Sequence, residues 1–558
     1  MADPVTKIRS AGRVALLTLA FVVLVLPVCY SLLTPYVPDG HDTLEYLPRQ
    51  VEFDRNIRAG IWFPQWAPDL VRGAGEPLFE FNPPMIYYLA EFWHLLGLGF
   101  VPAINLACVV LVVASAVGMF LLGRLYFGSR GGWLAAAAFL YAPYFAVNLY
   151  VRGALAEFAA FPFYAFALYG FGAYAKRKKI GYLLLGALAY AGVLFSHNGA
   201  ALFFTPLLLA FFALIAYEDW RRLRSGVFGW LLGLGLGACV WLPSLAERKY
   251  VLLERLLEGY LRYSNHFVYW HQFVSGVWGY GKSVPGDQDT LSFSLGWSHV
   301  VLVLLAFALA VLYRKTADWR WLWFFAGATL VYCFLMTSES ERIWDRVSLL
   351  QFLEFPWRLL GVACLCVALL VAALAPLLDA LPRGRNVAFA AALALLIVPN
   401  FRHNRPVQYR AENLAQWSST RISERGIEAT TAFEYVPRWV KAWPIYNPQG
   451  YSIVSGDGEV QMTTRRVTAW GADVHASQPM TLDLAVTWYP GWTVQVDGER
   501  VQAGPADPTG LIRVEVPAGT HHVDAAFKRT WPRWLGQAIS WVSLVTLLLL
   551  AAIELRRN

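Results

Sequence analysis

A compact polar motif, Asp39-Gly40-His41-Asp42, directly follows the first long apolar run of the chain. Two acids and a histidine this close together are costly beside lipid, so they usually face a water-filled cavity. A carboxylate at such a place could accept a proton from a hydroxyl group or bind a divalent cation. The alternative is structural, because Asp and Gly favour turns and Asp42 could cap a helix that starts near Thr43. The motif alone leaves both interpretations open.

Charged and polar side chains also lie at the ends of other apolar runs. They are Arg152, Glu157, His197, Glu354 and Arg358. Because these runs are not adjacent in the chain but end at one predicted membrane level, we expect the side chains to share a cavity with the motif at 39–42. A guanidinium in such a cavity suits phosphate, because its planar fork contacts two oxygens at once. Arg152 and Arg358 are therefore the candidate phosphate ligands, although Arg152 and Glu157 could instead pair with each other.

We predict that helices crossing a membrane hold these residues in place. Of the 558 residues, 57% are hydrophobic and 15% are charged, with a mean hydropathy of +0.44. A soluble domain has about 25% charged residues, so the composition indicates a polytopic membrane protein of mostly α class. Twelve apolar runs have roughly the length that a helix needs to cross a bilayer. They are 14–33, 101–123, 132–150, 157–175, 180–196, 199–217, 227–243, 296–313, 321–337, 359–378, 386–400 and 534–553.

Loop charges predict how the chain is oriented in the membrane. Alternate loops contain nineteen Lys and Arg but six Asp and Glu, which is typical of cytoplasmic loops. Both termini are therefore predicted to lie in the cytoplasm, with the chain in the plasma membrane. The same loops account for the net charge of +8 without a nucleic-acid partner. The loops counted are 1–13, 124–131, 176–179, 218–226, 314–320, 379–385 and 554–558.

The long segments of the chain then fall on the outer face. The predicted outer loops are 34–100, 244–295 and 338–358. The predicted domains are a transmembrane domain of residues 1–400, an extracytoplasmic domain of residues 401–533, and a last transmembrane helix with a cytoplasmic tail at 534–558. A protein built in this way recognises or converts its substrate on the outer side.

The segment 401–533 changes to an alternation of polar and apolar residues with period two, which is typical of strands. Strands are predicted at 481–488, 492–496, 511–516 and 522–527. Asp497-Gly498 between two of them is a strong hairpin signal. The segment is therefore predicted to form a small antiparallel β-sandwich. We interpret its aromatic cluster at 488–492 as core, with carbohydrate recognition as the alternative.

Several motifs that would define other functions are absent from the sequence. There is no Gly-rich P-loop with its Lys, no HExxH, no GxSxG and no CxxCH, which argues against an ATP-driven pump and a zinc metalloprotease. The six cysteines all lie in apolar runs, so no disulfide framework is predicted. No sustained internal repeat is evident, which weakens the hypothesis of a secondary transporter.

A series of motifs resembles the bacterial and archaeal membrane proteins called pyruvoyl-tetrahydropterin-synthase-related. In chain order they are DGHD (39–42), GIWFPQWAP (60–68), GAG (73–75), FNPP (81–84), YVRG with a following Glu (150–157), SHN (196–198), WGYG (278–281) and FPWR (355–358). The segment 488–519, with WYPGW and VPAG, is similar to the end of YfhO-like membrane proteins. Both families resemble the GT-C glycosyltransferase superfamily, whose members use lipid-phosphate-linked sugars at the outer face of the membrane.

The resemblance implies a catalytic acid in the first outer loop, which by position is Asp42, with Asp39 as the second candidate. It implies a sugar transfer from a polyprenyl-phosphate lipid to a glycan or other cell-envelope acceptor. The motif at 39–42 is neither DxD nor ExD. The resemblance therefore leaves open whether the protein uses a divalent cation, and no metal ligand is assigned. The residues implied to bind or orient substrate are His41, Arg152, Glu157, His197, Glu354 and Arg358.

Two other classes of function fit the same sequence. One is a non-enzymatic transporter of lipid or glycan that uses the same cavity. The other is a structural scaffold in envelope polymer assembly. Catalysis should depend on one carboxylate far more than on its neighbours, whereas a transporter should tolerate Asp42→Asn and move its cargo unchanged.

Overall fold

The computed structural model describes residues 4–217, 219–412, 417–428, 430 and 432–557. This part of the chain is mostly helical, and its long strands lie between residues 451 and 527. Asp3 and Glu218, two of the acids counted in the predicted cytoplasmic loops, lie outside the described residues.

Each of the twelve predicted apolar runs overlaps a helix, because a helix satisfies its backbone hydrogen bonds internally and leaves an apolar surface. These helices are Pro4–Cys29, Phe100–Leu140, Leu155–Arg177, Ile180–Ser196, Asn198–Ala216, Arg221–Leu236, Ala238–Glu247, Trp297–Leu312, Trp319–Leu335, Leu360–Ala372, Leu374–Asp379, Arg385–Asn400 and Trp531–Arg557. Shorter helices at Tyr46–Arg58, Met85–Leu95 and Ser419–Arg425 connect or cover them.

One glycine divides the longest helix. Phe100–Leu140 has 41 residues, about twice the length that a bilayer requires. At Gly128 the backbone leaves the helical region, with φ +74° and ψ −179°, a conformation that glycine adopts without steric cost. The predicted run 101–123 and the first part of the run 132–150 therefore lie on one helix that breaks between them.

Length and hydropathy qualify six helices of the described chain as able to cross a membrane, and eight if two bent pairs each count as one span. The pairs bend by 67° near Gly237 and by 84° near Thr337. Three further apolar helices are shorter. The chain is thus a multi-pass membrane protein by its helices, and the count of twelve spans stays a prediction. The six helices are Phe100–Leu140, Leu155–Arg177, Asn198–Ala216, Pro356–Asp379, Arg385–His403 and Trp531–Arg556.

The bundle has a buried centre and an exposed apolar periphery. Every residue of Leu360–Ala372 is buried, so this helix lies in the middle of the bundle. Trp531–Arg557 instead leaves Trp541, Val542 and Leu549 at least 60% exposed, as expected for a helix that faces lipid. All six cysteines are free.

Two antiparallel sheets form the region between residues 451 and 527. All four predicted strands are present, as Met480–Thr487, Trp492–Val496, Leu511–Val516 and Gly519–Phe527. The four-stranded sheet has the order Tyr451–Ser455, Met480–Thr487, Leu511–Val516, Gly504–Pro505. The five-stranded sheet has the order Gly458–Arg466, Ala469–Ala476, Gly519–Phe527, Trp492–Val496, Glu499–Arg500.

One hydrophobic core lies between the two sheets and also receives part of the first predicted outer loop. Trp66 from that loop packs 5.6 Å from Trp492 between ring centres, and it also contacts Tyr489 and Phe527. Tyr489 is fully buried and Trp492 is 8% exposed. These contacts favour the core interpretation of the aromatic cluster at 488–492 over carbohydrate recognition.

A buried arginine ties this β region to the helices, because Arg533 Nη2 donates to the Pro490 carbonyl oxygen at 3.1 Å. Arg533, at the start of the last helix, is fully buried. Its Nε lies 2.8 Å from Glu80 Oε2 and its Nη2 lies 2.6 Å from Glu247 Oε2. Because buried charges are stable only when they are paired, this contact holds three distant segments of the chain in one arrangement beside the central bundle.

Candidate active site

One cavity of about 820 Å³ brings together seven of the eight residues that the sequence singles out. It lies where the first predicted outer loop meets the ends of several apolar helices. The seven residues are His41, Asp42, Arg152, Glu157, His197, Glu354 and Arg358. Asp39 is the eighth and does not line this cavity.

Backbone contacts fix the turn that carries Asp42. The amide of His41 donates to the carbonyl of Val151 at 3.0 Å, and the amide of Asp42 donates to the carbonyl of Arg152 at 2.7 Å. A Cβ at Gly40 would lie 2.6 Å from Thr43 Oγ1, so only glycine allows the turn to approach this closely. The turn is thereby attached to the π-helical segment that ends at Arg152.

The Asp42 carboxylate is half-buried and has no hydrogen bond or ion pair within the described chain. Asp42 precedes the short 3-10 helix Thr43–Glu45, but its side chain makes no capping hydrogen bond. The structural interpretation of this residue as a helix cap is therefore not supported. Both carboxylate oxygens are available to a ligand in the cavity.

A buried ion pair forms one wall of the cavity. Arg152 Nη1 donates to Glu157 Oε2 at 2.8 Å and to the Tyr144 hydroxyl at 3.1 Å. Glu157 Oε1 also accepts from Tyr144 and from Asn148 Nδ2, each at 2.7 Å. The Arg152 guanidinium lies 4.6 Å from the Trp357 ring centre, a cation–π geometry. Arg152 and Glu157 are 3% and 4% exposed, so the pair is held by protein partners on nearly every side.

Arg358 is held much more loosely. Its Nε lies 3.5 Å from Glu157 Oε2, and its Nη2 lies 3.5 Å from Glu354 Oε2, longer than a good charge-assisted hydrogen bond of about 2.8 Å. Nη1 donates to the Leu353 carbonyl at 3.3 Å. Since a guanidinium has five N–H donors, Arg358 keeps strong hydrogen-bonding capacity for an anion in the cavity.

The two histidines of the cavity have different surroundings. His197 Nδ1 accepts from the Ala200 amide at 3.1 Å and so caps the helix Asn198–Ala216. His41 is exposed, and its Nε2 lies 3.3 Å from the Tyr280 carbonyl oxygen. His197 therefore positions the end of a helix, whereas His41 lies at the mouth of the cavity.

Asp39 is engaged elsewhere. Its carboxylate pairs with Arg410 Nε at 2.7 Å and accepts from the Gln408 side chain. The backbone beside it, Val37–Pro38, pairs with the strand Tyr409–Arg410. Asp39 thus joins the turn to the segment that follows the helix Arg385–Asn400, while Asp42 faces the cavity.

Five charged residues that the sequence did not single out also line the cavity. Glu45 and Arg49 follow Asp42 at successive spacings of three and four residues. This spacing places them on one face of a helix and could have predicted that they share the cavity. Glu434 comes from the segment before the β region, and nothing in the local sequence indicates that it returns to the bundle. The five are Glu45, Arg49, Arg248, Lys282 and Glu434.

Burial shifts three acids of the cavity toward their neutral forms. It raises the pKa of Glu45 from 4.5 to about 7, against the opposing effect of Arg49. Burial likewise raises the pKa of Glu354 and of Glu434. Glu45 and Glu354 also lie in the field of other acids, which raises their pKa values further. Several cavity acids are thus protonated at a pH where exposed carboxyls are ionised.

The raised pKa of Glu45 predicts a contribution to stability that falls as pH rises from about 4.5 to about 7. Over this range the folded protein keeps a proton on Glu45 that the unfolded chain releases, so rising pH favours unfolding. For Glu45 the shift corresponds to at most about 3 kcal/mol. Thermal unfolding in detergent at several pH values measures the effect, and Glu45→Gln should flatten the profile. Identical profiles for wild type and variant would contradict the raised pKa of Glu45.

The sequence left metal binding open. Among the residues that the structure describes, no group of three or more His, Cys, Asp or Glu side chains is arranged to hold a metal ion. The acids of the cavity are instead interleaved with arginines, as in the pairs formed by Glu45 with Arg49 and by Glu354 with Arg358.

One family model matches part of the chain. The family model of dolichyl-phosphate-mannose-protein mannosyltransferases matches residues 82–246, a segment that contains Arg152, Glu157 and His197 but not Asp42. The match supports likeness to the GT-C glycosyltransferases and leaves the finer pyruvoyl-tetrahydropterin-synthase-related and YfhO-like resemblance a prediction. The comparison with curated proteins returns no match.

Three solved structures are similar to this chain at low identity. The arabinofuranosyltransferase AftD from Mycobacteria is 18% identical at a TM-score of 0.47, over 72% of this chain and 28% of that one. The Archaeoglobus fulgidus oligosaccharyltransferase is 15% identical at 0.40, over 74% and 57%. ArnT from Cupriavidus metallidurans, bound to undecaprenyl phosphate, is 14% identical at 0.38, over 76% and 78%. The chain therefore spans less than two thirds of the length of the first two.

Proposed function

We propose that the protein is an integral membrane glycosyltransferase that transfers a sugar from a polyprenyl-phosphate-linked donor to an extracytoplasmic acceptor. One observation carries the proposal: the unpartnered carboxylate of Asp42 shares a single cavity with the loosely held guanidinium of Arg358. A carboxylate base and a phosphate ligand are the two groups that such a transfer needs. The mannosyltransferase family match over residues 82–246 supports this class of reaction.

The reaction proceeds by displacement at the sugar. Asp42 removes the proton from an acceptor hydroxyl while the hydroxyl oxygen attacks the anomeric carbon. The bond between the anomeric carbon and the phosphate oxygen breaks, and the polyprenyl phosphate leaves with both electrons of that bond. Arg358 stabilises the negative charge that develops on the leaving phosphate, as a preorganised cation does in a site shielded from water.

The two arginines have different roles in this proposal. Arg152 was a candidate phosphate ligand from the sequence, but its guanidinium is committed to Glu157, Tyr144 and Trp357. We therefore assign Arg152 and Glu157 to positioning, because Glu157 Oε2 also contacts Arg358 Nε. Arg358 is the phosphate ligand.

Arg358→Ala is expected to weaken binding of a polyprenyl-phosphate sugar by about 1.5–3 kcal/mol, the value of a hydrogen bond to a charged group. Arg358→Lys should restore part of the affinity, because it keeps the charge but loses the planar fork. Binding to purified protein in detergent measures the effect. Arg500→Ala, on an exposed strand of the β region, is the matched control. Unchanged affinity in Arg358→Ala would remove the phosphate role.

We propose the orientation that the loop charges indicate, with both termini cytoplasmic and residues 401–533 outside. Asp457→Cys tests it, because Asp457 is exposed and the native cysteines are buried or half-buried. In intact cells, a maleimide that cannot cross the membrane should label this cysteine. Labelling only after the cytoplasmic side is opened would overturn the orientation. The protein without the substitution is the control.

A further inference from the structure

A second cavity of about 780 Å³ lies apart from the proposed active site. It is formed where the first helix, Pro4–Cys29, and the helix Arg385–Asn400 both end. Its walls come from residues 26–31, from residues 401–409 and from Tyr280. None of these residues lines the cavity around Asp42.

Asn404 lines this second cavity, and its side-chain amide lacks partners in the described chain. Asn404 is 4% exposed, and neither its Nδ2 nor its Oδ1 has a hydrogen bond within the described chain. Its backbone carbonyl accepts from Ser31 Oγ at 3.1 Å, so the residue is fixed in place. A buried amide without partners is unfavourable, and a ligand with both an acceptor and a donor group would satisfy it.

Two arginines beside Asn404 indicate the charge of that ligand. Arg402 and Arg405 both line the cavity and both are exposed. No ion pair with an acid is formed by either one in the part of the chain that the structure describes. Two guanidinium groups and a free amide donor together suit a phosphate group.

The surroundings of the cavity indicate that the ligand also has an apolar part. Leu26, Tyr30 and Phe401 are 44%, 72% and 53% exposed. They lie at the ends of two apolar helices, where a membrane protein meets the interface between lipid and water. Aromatic residues favour this interface, so acyl chains could run along this face while the headgroup enters the cavity.

We propose that this cavity binds the headgroup of an anionic phospholipid that carries a hydroxyl group. Arg402 and Arg405 hold the phosphate oxygens, Asn404 Nδ2 donates to one of them, and Asn404 Oδ1 accepts from the headgroup hydroxyl. The site is separate from the binding site of the sugar donor and does not depend on the proposed transfer.

The bound lipid would also support the Asp42 turn. The Tyr280 hydroxyl donates to the Arg405 carbonyl at 3.2 Å, and the Tyr280 carbonyl lies beside His41. The strand Tyr409–Arg410 continues from the cavity wall and pairs with Val37–Pro38 just before the turn. Lipid that orders residues 401–409 therefore stabilises the backbone on which Asp42 depends.

Native mass spectrometry of the full chain, purified in detergent, tests the site. The probes are phosphatidylglycerol, phosphatidylcholine, glycerol phosphate and inorganic phosphate, each titrated separately. We expect phosphatidylglycerol to bind more tightly than the other three. Asn404→Leu and the double variant Arg402→Gln/Arg405→Gln should each weaken it at least about tenfold, the loss of one hydrogen bond to a charged group. The double variant changes only exposed residues, so it keeps the test valid if Asn404→Leu does not fold.

Two controls separate this site from the proposed active site. Arg500→Gln, at an exposed position of the β region, should leave phosphatidylglycerol binding unchanged, and so should Arg358→Ala. Unchanged phosphatidylglycerol binding in the double variant would overturn the proposal. Equally tight binding of glycerol phosphate or inorganic phosphate would show a site for soluble anions and overturn the lipid assignment. Loss of phosphatidylglycerol binding in Arg358→Ala would mean that the lipid occupies the central cavity.

Discussion

Asp42→Asn should fold, reach the membrane and lose at least about 10²-fold in sugar transfer, the lower end of general-base contributions. Asn keeps the shape of the side chain but cannot accept a proton as a carboxylate does. The structure makes the substitution mild for folding, because the Asp42 side chain has no protein partner in the described chain and the turn is held by backbone hydrogen bonds. Release of labelled sugar from a polyprenyl-phosphate donor measures the rate, with and without a chelator.

Asp39→Asn is the matched control for this prediction. It removes the pair with Arg410, a partly exposed ion pair of the kind that contributes at most about 1 kcal/mol, and should reduce transfer far less. Near-full turnover in Asp42→Asn together with an inactive Asp39→Asn would show that the base is Asp39.

Arg152→Ala should destabilise the folded protein by about 3–5 kcal/mol, the cost of removing one partner of a buried ion pair. The substitution leaves Glu157 buried with one charge partner fewer, and it removes the packing of the guanidinium on Trp357. Thermal unfolding in detergent measures the loss. Arg500→Ala, which changes an exposed arginine, should be close to neutral.

The double variant Arg152→Met/Glu157→Leu separates the ion pair from its packing. Replacing both charges with apolar side chains should recover much of the stability that Arg152→Ala loses, because no unpaired charge remains. If the double variant is as unstable as Arg152→Ala, the unpaired charge of Glu157 is not the cause of the stability lost in Arg152→Ala. The double variant should also bind the sugar donor more weakly, because Glu157 helps to position Arg358.

The apolar helices and the candidate residues were predictable because their signals are local. Runs of about twenty apolar residues have few other solutions, and polar side chains at the ends of such runs are costly unless they face a cavity. Asp42, Arg152 and Arg358 were found in this way. The sequence could not rank the two arginines, because the Trp357 ring that packs on Arg152 comes from a distant segment of the chain.

Residues brought in by long-range contacts were missed. Glu434 belongs to a segment without a clear period, yet it lines the cavity beside Glu45. Five strands of the β region were also missed: the two-residue strands Glu499–Arg500 and Gly504–Pro505, and the longer strands Tyr451–Ser455, Gly458–Arg466 and Ala469–Ala476. Tyr451–Ser455 and Gly458–Arg466 lie at the edges of their sheets and have no fully buried residue. Their sequences therefore lack the buried apolar positions that mark a strand most clearly.

Several acids and arginines are packed in one cavity, so the protonation of the acids determines the charge that an incoming phosphate meets. The raised pKa values of Glu45 and Glu354 favour the neutral forms of these two acids, which lowers the negative charge near an incoming phosphate. In the proposed transfer, the cavity accepts an anionic lipid and Asp42 acts as the base. A transporter would need the same phosphate site but no carboxylate that accepts a proton.

The central claim is that the cavity around Asp42 and Arg358 holds a polyprenyl-phosphate sugar. A structure determined with such a lipid in the sample tests it most directly. We predict phosphate density within hydrogen-bonding distance of the Arg358 guanidinium, with the sugar between that phosphate and the Asp42 carboxylate and the lipid tail leading out between the helices. Phosphate density that lies only at Arg402 and Arg405, with the central cavity empty, would contradict the proposed active site.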